Sequence, residues 1–553
     1  MSASLWVAAL AGLAGSGLAG LRWLRVAQRE HYLAGSAGRF ARRWWGATAL
    51  NRWLLALALG ALVASALLPF VGVLTAAVVV VGPLGLGLRG RTSALVWTSR
   101  LRRLAGLWAV LQLAGLAGSV ILSVEVGGGS AGAVQSLGAF SPEGWLLGAF
   151  VLGVPFLVDL ACWLASPLEL RLLAPFVRRA AERLGAVGPV VVGITGSYGK
   201  TSTKGYVAHL VGASRSIFAS PASYNNRGGL ARAINEGLAP GTEVFVAEMG
   251  TYGPGEIAEL CSWIPPEVAV ITAIGPVHLE RMHTEDAILA AKSEIFAGGA
   301  VAVLNVDDRR LAALAQPLTA SGRKVWRCSA VDAAADVCVG EGGVMVRGER
   351  LCDPPAGTGS PGALPATNVA CAVAVALELG VSSGEIARLI GSLPVAPNRA
   401  SQTVGEGGFS IVDDTYNSNP AGAAMALGAL AGAGSNGCRR VLVTPGMVEL
   451  GARQRAENET LARSAAPVVS HLVVVGETNR RALLAGVGLG RRPATEASEV
   501  AGVRKVARAP GSPEELVEVL LAPTREAAVG WVCANLGPGD AVLYENDLPD
   551  HYP

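Results

Sequence analysis

The run Gly193-Ile194-Thr195-Gly196-Ser197-Tyr198-Gly199-Lys200-Thr201-Ser202 sets glycines, a lysine and hydroxyls at a spacing that can cradle phosphates. It follows the apolar run Val190-Val191-Val192 and precedes a segment that can be helical. At such a strand–turn–helix junction, backbone N–H groups and the helix dipole face an anion. A lysine neutralises the terminal phosphates and a threonine hydroxyl can ligate Mg²⁺. Ile194 occupies the place of the first glycine of a standard phosphate loop, so the pattern reads G-x-x-G-x-x-G-K-T. Gly196, Gly199, Lys200, Thr201 and Ser202 are therefore the expected nucleotide contacts.

The elements that position this loop belong to a chain of 553 residues, long enough for several domains. A formal charge of +3 and the lack of a basic patch interleaved with aromatics argue against a nucleic-acid partner. Eight scattered cysteines show no metal-type pairing and suit reduced thiols. Only five of the 45 basic residues are lysines: Lys200, Lys204, Lys292, Lys324 and Lys505. In a chain so biased toward arginine, a retained lysine raises the question of whether its amine is needed.

The positive mean hydropathy, +0.43, comes mostly from the first third. Leu5 to Leu21, a hairpin over Trp53 to Leu88 broken near Pro69, Leu104 to Val124 and Trp145 to Ala165 predict five membrane spans within residues 1–166. Arginines crowd the first and third connections and the stretch after Ala165, whereas Glu125 to Gly144 has none. The positive-inside rule then puts the N-terminus outside and everything after the spans in the cytoplasm of a multi-pass inner-membrane protein. Asp159, inside the last span, is either functional or near enough the end to reach the interface. Residues 167–188 alternate apolar and arginine positions and predict an amphipathic connector.

From Pro189 the pattern changes. Short β-rich runs at Val190–Thr195, Val244–Ala247, Val268–Ile274 and Val301–Asn305 alternate with helical stretches, predicting an α/β domain on a parallel sheet. Arg323 to Arg350 reads as a small antiparallel insertion. Phe409–Val412, Val441–Thr444, Leu472–Val475 and Ala541–Tyr544 predict a second, doubly wound (Rossmann-like) domain, giving boundaries of 189–396 and 397–553.

Thr195-Gly196-Ser197-Tyr198-Gly199-Lys200-Thr201, Asn225-Asn226, Glu248-Met249-Gly250, Ile274-Gly275-Pro276-Val277-His278-Leu279-Glu280, Lys292-Ser293-Glu294-Ile295-Phe296 and Asn305-Val306-Asp307-Asp308 follow one another in the order seen in Mur ligases. Pro397-Asn398-Arg399, Asp413 to Pro420 and Met447-Val448-Glu449-Leu450-Gly451 extend the resemblance, which is closest to the MurF branch. These are ATP-dependent amide ligases of peptidoglycan precursor synthesis. The resemblance implies that Lys200 holds phosphates, that Thr201, Glu248 and His278 ligate Mg²⁺, and that two ions are bound. It further implies that Lys292 is carbamylated by CO₂, becoming an anionic ligand no arginine could supply. Asn305 would meet adenine, Arg399 the γ-phosphate, Asp414 the ribose or the hinge, and Asn225 and Asn226 the acyl substrate. Lys200, Lys292, His278 and Arg399 would thus be the catalytic set.

Several positions depart from the MurF pattern. Spans replace the soluble domain that grips a UDP-sugar. Thr251-Tyr252-Gly253 stands for Ala-Asn-His, Ala231 for a proline, and Gly446 for an aspartate. These touch substrate recognition and leave the ATP machinery intact. The expected activity is a membrane-anchored, ADP-forming ligation of a carboxylate, small or lipid-linked or polymeric, to an amino-acid or peptide amine. A poly-γ-glutamate-type polymer ligase, a nucleotide-dependent transporter or assembly subunit, and an inactive scaffold are the alternatives.

Overall fold

The computed structural model describes residues 3–66, 68, 71–88, 94–129, 142–221, 224–355, 358, 364–394, 401–415, 419–434, 437–489, 496–500, 503–506, 517–548 and 552. It divides into two compact units, residues 1–172 with 548–553, and residues 173–547.

The first unit is helical. Its helices are Ala3–Arg29, Ser36–Ala47, Ala49–Ser65, Gly72–Val81, Ser99–Gly129, Pro142–Leu152 and the start of Val154–Val187. They overlay the expected apolar segments, but the expected five spans are not what forms. Among the described residues no single helix is long and apolar enough to cross a membrane. Ser36–Ala47 and Ala49–Ser65, bent by 111°, pass that test only together. The stretch Trp145 to Ala165 breaks at Gly153, whose N–H turns back to the Ala149 and Phe150 carbonyls (3.0 and 3.1 Å). Residues 167–187, read as a separate connector, continue the helix Val154–Val187.

Polar side chains close this unit from within. Arg22 donates to the Gly82 carbonyl (3.0 Å) and the buried Arg25 to that of Gly87 (2.9 Å), just past the C-terminal end of Gly72–Val81. There a cation meets the unsatisfied carbonyls and the negative end of the helix dipole. Asp159 accepts the N–H groups of Ala37 (2.9 Å) and Gly38 (2.8 Å), so it caps the start of Ser36–Ala47 from a distant helix. Its place inside an apolar helix follows from that capping role.

The second unit holds two sheets. The first contains β1 (Val190–Thr195), β2 (Ile217–Ala219), β3 (Val244–Glu248), β4 (Val268–Ile271), β5 (Val301–Asn305), β6 (Val325–Ser329), β7 (Val337–Gly340), β8 (Gly343–Val346) and β9 (Glu349–Cys352), in the order β2-β3-β1-β4-β5-β6-β7-β8-β9. Strands β1 to β7 pair in parallel, and only the β7–β8 and β8–β9 pairs are antiparallel, so β8 alone runs against the rest. The expected insertion at Arg323–Arg350 is thus an extension of the same sheet. Val192, Ile194, Val246 and Val270 face one core while Val191, Phe245, Ala247 and Ile271 face the other. Burial on both faces explains the unbroken β-branched runs.

The second sheet contains β10 (Ser401–Val404), β11 (Ser410–Asp414), β12 (Arg440–Thr444), β13 (His471–Val475), β14 (Glu496–Val500), β15 (Val503–Val506), β16 (Glu518–Ala522) and β17 (Ala541–Glu545), in the order β10-β11-β17-β12-β13-β16-β15-β14. Its central five strands are parallel, with separate cores on the two faces, as a doubly wound domain requires.

Asp159→Ala removes two acceptors at a helix start and should cost about 1–2 kcal/mol. Thermal unfolding of the full chain in detergent measures this. A proton-relay role would instead abolish activity with no change in the unfolding temperature.

Candidate active site

The phosphate loop leaves β1 and turns into the helix Lys200–Val211. Gly199 caps that helix at φ 84°, a left-handed conformation, and a Cβ there would lie 2.5 Å from the Asn368 side chain. Only glycine fits both demands. The loop is braced against the segment after β4. The Ser197 N–H donates to the Ala273 carbonyl (2.8 Å), and the Ser197 hydroxyl accepts the Gly275 N–H (2.9 Å). Lys200 Nζ donates to the Gly196 carbonyl (2.7 Å), which places the amine over the loop.

Beside β1, β3 ends in Glu248, level with Ile194. The carboxylate is 2% exposed, and three side chains converge on it. Thr201 Oγ1 and Lys204 Nζ each donate to Oε2 at 3.0 Å, and Asn225 Nδ2 approaches Oε1 at 3.4 Å. The Glu248 N–H donates to Ser220 Oγ (3.1 Å). Lys204 lies one turn along the helix from Lys200, so the helix that carries the phosphate lysine also neutralises the carboxylate.

Lys292 is 3% exposed in the helix Glu285–Ser293. Burial first, and the positive charge of Lys200 second, hold its pKa well below the usual lysine value. Among the described residues no carboxylate lies within 4.0 Å of it. Its amine is therefore biased toward the free base.

His278 follows β4 and caps a short helix at φ 58°. Its Nδ1 lies 2.5 Å from Glu449 Oε2, and its ring meets Tyr252 edge-on with centroids 4.8 Å apart.

The other expected residues are placed as follows. Ser202 is buried in the loop helix. Asn225 joins the Glu248 cluster, whereas Asn226 accepts the Gly229 N–H (2.9 Å) and caps the helix Arg227–Gly237. Asn305 Nδ2 donates to the Thr272 carbonyl (2.9 Å) and Oδ1 accepts the Asp307 N–H (3.1 Å), tying the ends of β4 and β5 together. Arg399 lies outside the described residues. Asp414 ends β11 opposite Glu545 of β17, both buried; the turn after it is capped by Asp413, which accepts from Thr415 N (3.1 Å) and Oγ1 (2.7 Å). Sequence reasoning missed Lys204 as a carboxylate partner, along with Ser220, Tyr252 and Glu449. For Lys204 the scarcity of lysine was the available signal.

The donors suit Mg²⁺. Thr201 and Glu248 supply hard oxygens beside a phosphate cradle, and Mg²⁺ takes one or two carboxylates plus phosphates and water. Among the described residues no three His, Cys, Asp or Glu side chains form a ready cation cage.

A phosphate loop at the carboxyl edge of a parallel sheet, with a carboxylate and a buried lysine around it and a doubly wound domain behind it, defines an ATP-dependent ligase of two α/β blocks. Comparison agrees. Residues 194–376 match the Mur ligase middle domain, and 399–544 match the Mur ligase glutamate ligase domain. The UDP-N-acetylmuramoyl-tripeptide–D-alanyl-D-alanine ligase of Mycobacterium tuberculosis (strain ATCC 25618 / H37Rv) is 33% identical over 391 residues, 67% of this chain and 73% of that protein. The Mycobacterium leprae ligase of the same name is 34% identical over 334 residues, 55% of this chain and 64% of its own length. The crystal structure of MurF ligase from Thermotoga maritima in complex with ADP superposes with a TM-score of 0.51 at 25% identity, covering 68% of this chain and 80% of that one. The chain belongs to the Mur ligase family, whose class is ATP-dependent and ADP-forming.

Lys204→Met strands a buried carboxylate and should destabilise the protein by roughly 3–5 kcal/mol in urea unfolding. Adding Glu248→Gln should recover much of that; strict additivity would refute the pairing. In the second domain, burial raises the pKa of Glu545 to about 8, Asp414 adding to it against the Thr444 hydrogen bond. A carboxyl whose folded pKa is raised stabilises most below its unfolded value, about 4.3, and loses that contribution as pH climbs toward 8. Glu545→Gln should therefore gain stability over the wild type between pH 5 and 8 and match it near pH 4.

Proposed function

We propose that this chain is a membrane-docked, MurF-like amide ligase of cell-wall synthesis. It would join the carboxylate of a muropeptide-type acid to an amino-acid or dipeptide amine, releasing ADP and phosphate. The observation that carries the ligation is the Lys200–Thr201–Glu248–Lys204 constellation at the carboxyl edge of the first sheet. The name shared by the Mycobacterium relatives supports the substrate class.

Lys200 and the loop N–H groups hold the β- and γ-phosphates of ATP. An oxygen of the acid attacks the γ-phosphorus, the bond to the β–γ bridging oxygen breaks, and ADP leaves. The acyl phosphate is then attacked at carbon by the amine, and phosphate departs carrying the acid's oxygen. Little covalent work falls to the protein, which positions reactants and stabilises charge. Mg²⁺ held by Thr201 and Glu248 would neutralise developing phosphate charge. Lys204 pairs with Glu248 and holds it in place. Lys292, biased to the free amine, is in the form whose nitrogen attacks the carbon of CO₂ with loss of a proton, which supports a carbamate there; the resulting anion would serve a second Mg²⁺ with His278. Asn305, Asp414 and Arg399 remain the proposed adenine, ribose and γ-phosphate contacts.

Membrane docking rests on a separate observation. Among the described residues, 26 of the 29 exposed large hydrophobic side chains lie between Leu10 and Leu172, Trp53, Val63 and Trp163 among the most exposed. An apolar surface of that extent is characteristic of a membrane or partner contact. The ligase domains would lie on the ATP side, where the arginine-rich connections place them.

Acid labelled with ¹⁸O in its carboxylate should deliver label to orthophosphate in an acceptor-dependent reaction. Label retained wholly in the product and unreacted acid would eliminate the acyl phosphate. In the same preparation, the full chain should float with phospholipid vesicles after detergent removal. A monodisperse, non-floating protein would remove the membrane from the proposal.

A further inference from the structure

Two loops from different domains of the second unit meet at His278. The first, after β4, carries His278 at φ 58° into the helix Leu279–Met282. The second, after β12, carries Glu449 at φ 63° and Gly451 at φ 56°. Non-glycine residues held in the left-handed region cost of order 1–3 kcal/mol each and persist where surroundings over-determine them. Here two such residues face each other through the His278 Nδ1–Glu449 Oε2 contact at 2.5 Å. The backbones are equally close, since a Cβ on Gly451 would lie 3.2 Å from the carbonyl carbon of Leu279. Arg453 then bridges back to Glu285 at 2.7 Å. On its other side the imidazole meets Tyr252, whose ring is covered by the Arg281 guanidinium at 4.6 Å.

We propose that Glu449 is the positioning residue of His278: it accepts the Nδ1 proton, fixes the tautomer and ring plane, and leaves Nε2 as the nitrogen that takes a cation. This deepens the function proposed above and rests on the reading of His278 as a cation ligand. Carboxylates that orient ligating imidazoles in this way typically alter metal affinity 10–100-fold. The ligand sits on the ATP-binding domain and its orienting carboxylate on the C-terminal one. Closure of the C-terminal domain and loading of the cation at His278 are then linked, each favouring the other by the same factor.

The test uses the full chain with ADP and Mn²⁺ as the probe, titrated by electron paramagnetic resonance, and ¹⁵N shifts of the histidine ring. His278→Ala and Glu449→Ala should each weaken Mn²⁺ binding about tenfold or more. Glu449→Gln, which keeps the shape and an acceptor oxygen, should fall between them and the wild type. The His278 ring, assigned by its loss in His278→Ala, should be an Nδ1–H tautomer in the wild type and a mixture in Glu449→Ala. Arg453→Ala, which removes the neighbouring bridge alone, should leave Mn²⁺ affinity within twofold. If His278→Ala leaves Mn²⁺ binding intact, the cation role of His278 fails and the proposal with it. If His278→Ala weakens binding but Glu449→Ala does not, the positioning role alone is wrong. Equal losses from Arg453→Ala and Glu449→Ala would also overturn it, assigning the effect to domain apposition.

Discussion

The site depends on one buried carboxylate being given partners. Glu248 sits at the end of a central strand with almost no water contact. An isolated carboxylate there would take up a proton or destabilise the fold. Lys204 supplies the counter-charge, while Thr201 and Asn225 direct the carboxylate oxygens. Since Lys200, Thr201 and Lys204 share one helix, the helix that sets Lys200 over the loop also holds Glu248. The loop is braced to the segment after β4 by Ser197 and Thr272.

Lysine and arginine are not interchangeable in such places, and this chain distinguishes them. Lys204 fits a compact ammonium into a 3.0 Å contact within the core. Lys292 is buried where a guanidinium would stay charged. Lys324 and Lys505, by contrast, make ordinary surface ion pairs with Glu378 (2.7 Å) and Glu518 (2.8 Å). Lys204 and Lys292 are buried, whereas Lys324 and Lys505 are exposed.

How far the molecule could be read from its sequence varied with the range of the forces involved. The phosphate loop, the strand order of burial and the two α/β blocks were legible because they follow from local pattern: glycine spacing, β-branched runs, carboxylates at strand ends. Asn226 was harder. Asparagine before a helix can serve as a cap, and the Gly229 N–H shows that Asn226 does so here. Asn305 likewise spans two strand ends through contacts that sequence does not encode. The first third shows a different limit. Hydropathy located the helices, yet it could not foresee that Gly153 breaks one of them or that Asp159 caps another from 121 residues away. Glu449 stood in a legible motif, but its pairing was hidden for the same reason: its partner, His278, lies 171 residues earlier.

The departures from the MurF pattern now separate into two kinds. Gly446 has φ 75°, and a Cβ there would fall 2.3 Å from Asn458 Oδ1 and 2.8 Å from Asn479 Cβ. Asn458 and Asn479 both hold the Met447 backbone, by the Met447 N–H (2.8 Å) and carbonyl (2.9 and 3.0 Å). An aspartate would disrupt the clamp that sets the Glu449 loop, so the glycine belongs to local architecture. Tyr252 is of the other kind. It lies on the surface of the site, its ring against His278 and under Arg281, where a smaller side chain would leave the imidazole open on one face. Around His278 only Tyr252 departs from the pattern, and together with Glu449 it restrains one ring from opposite domains. The phosphate half of the site, by contrast, keeps the G-x-x-G-x-x-G-K-T loop and its carboxylate.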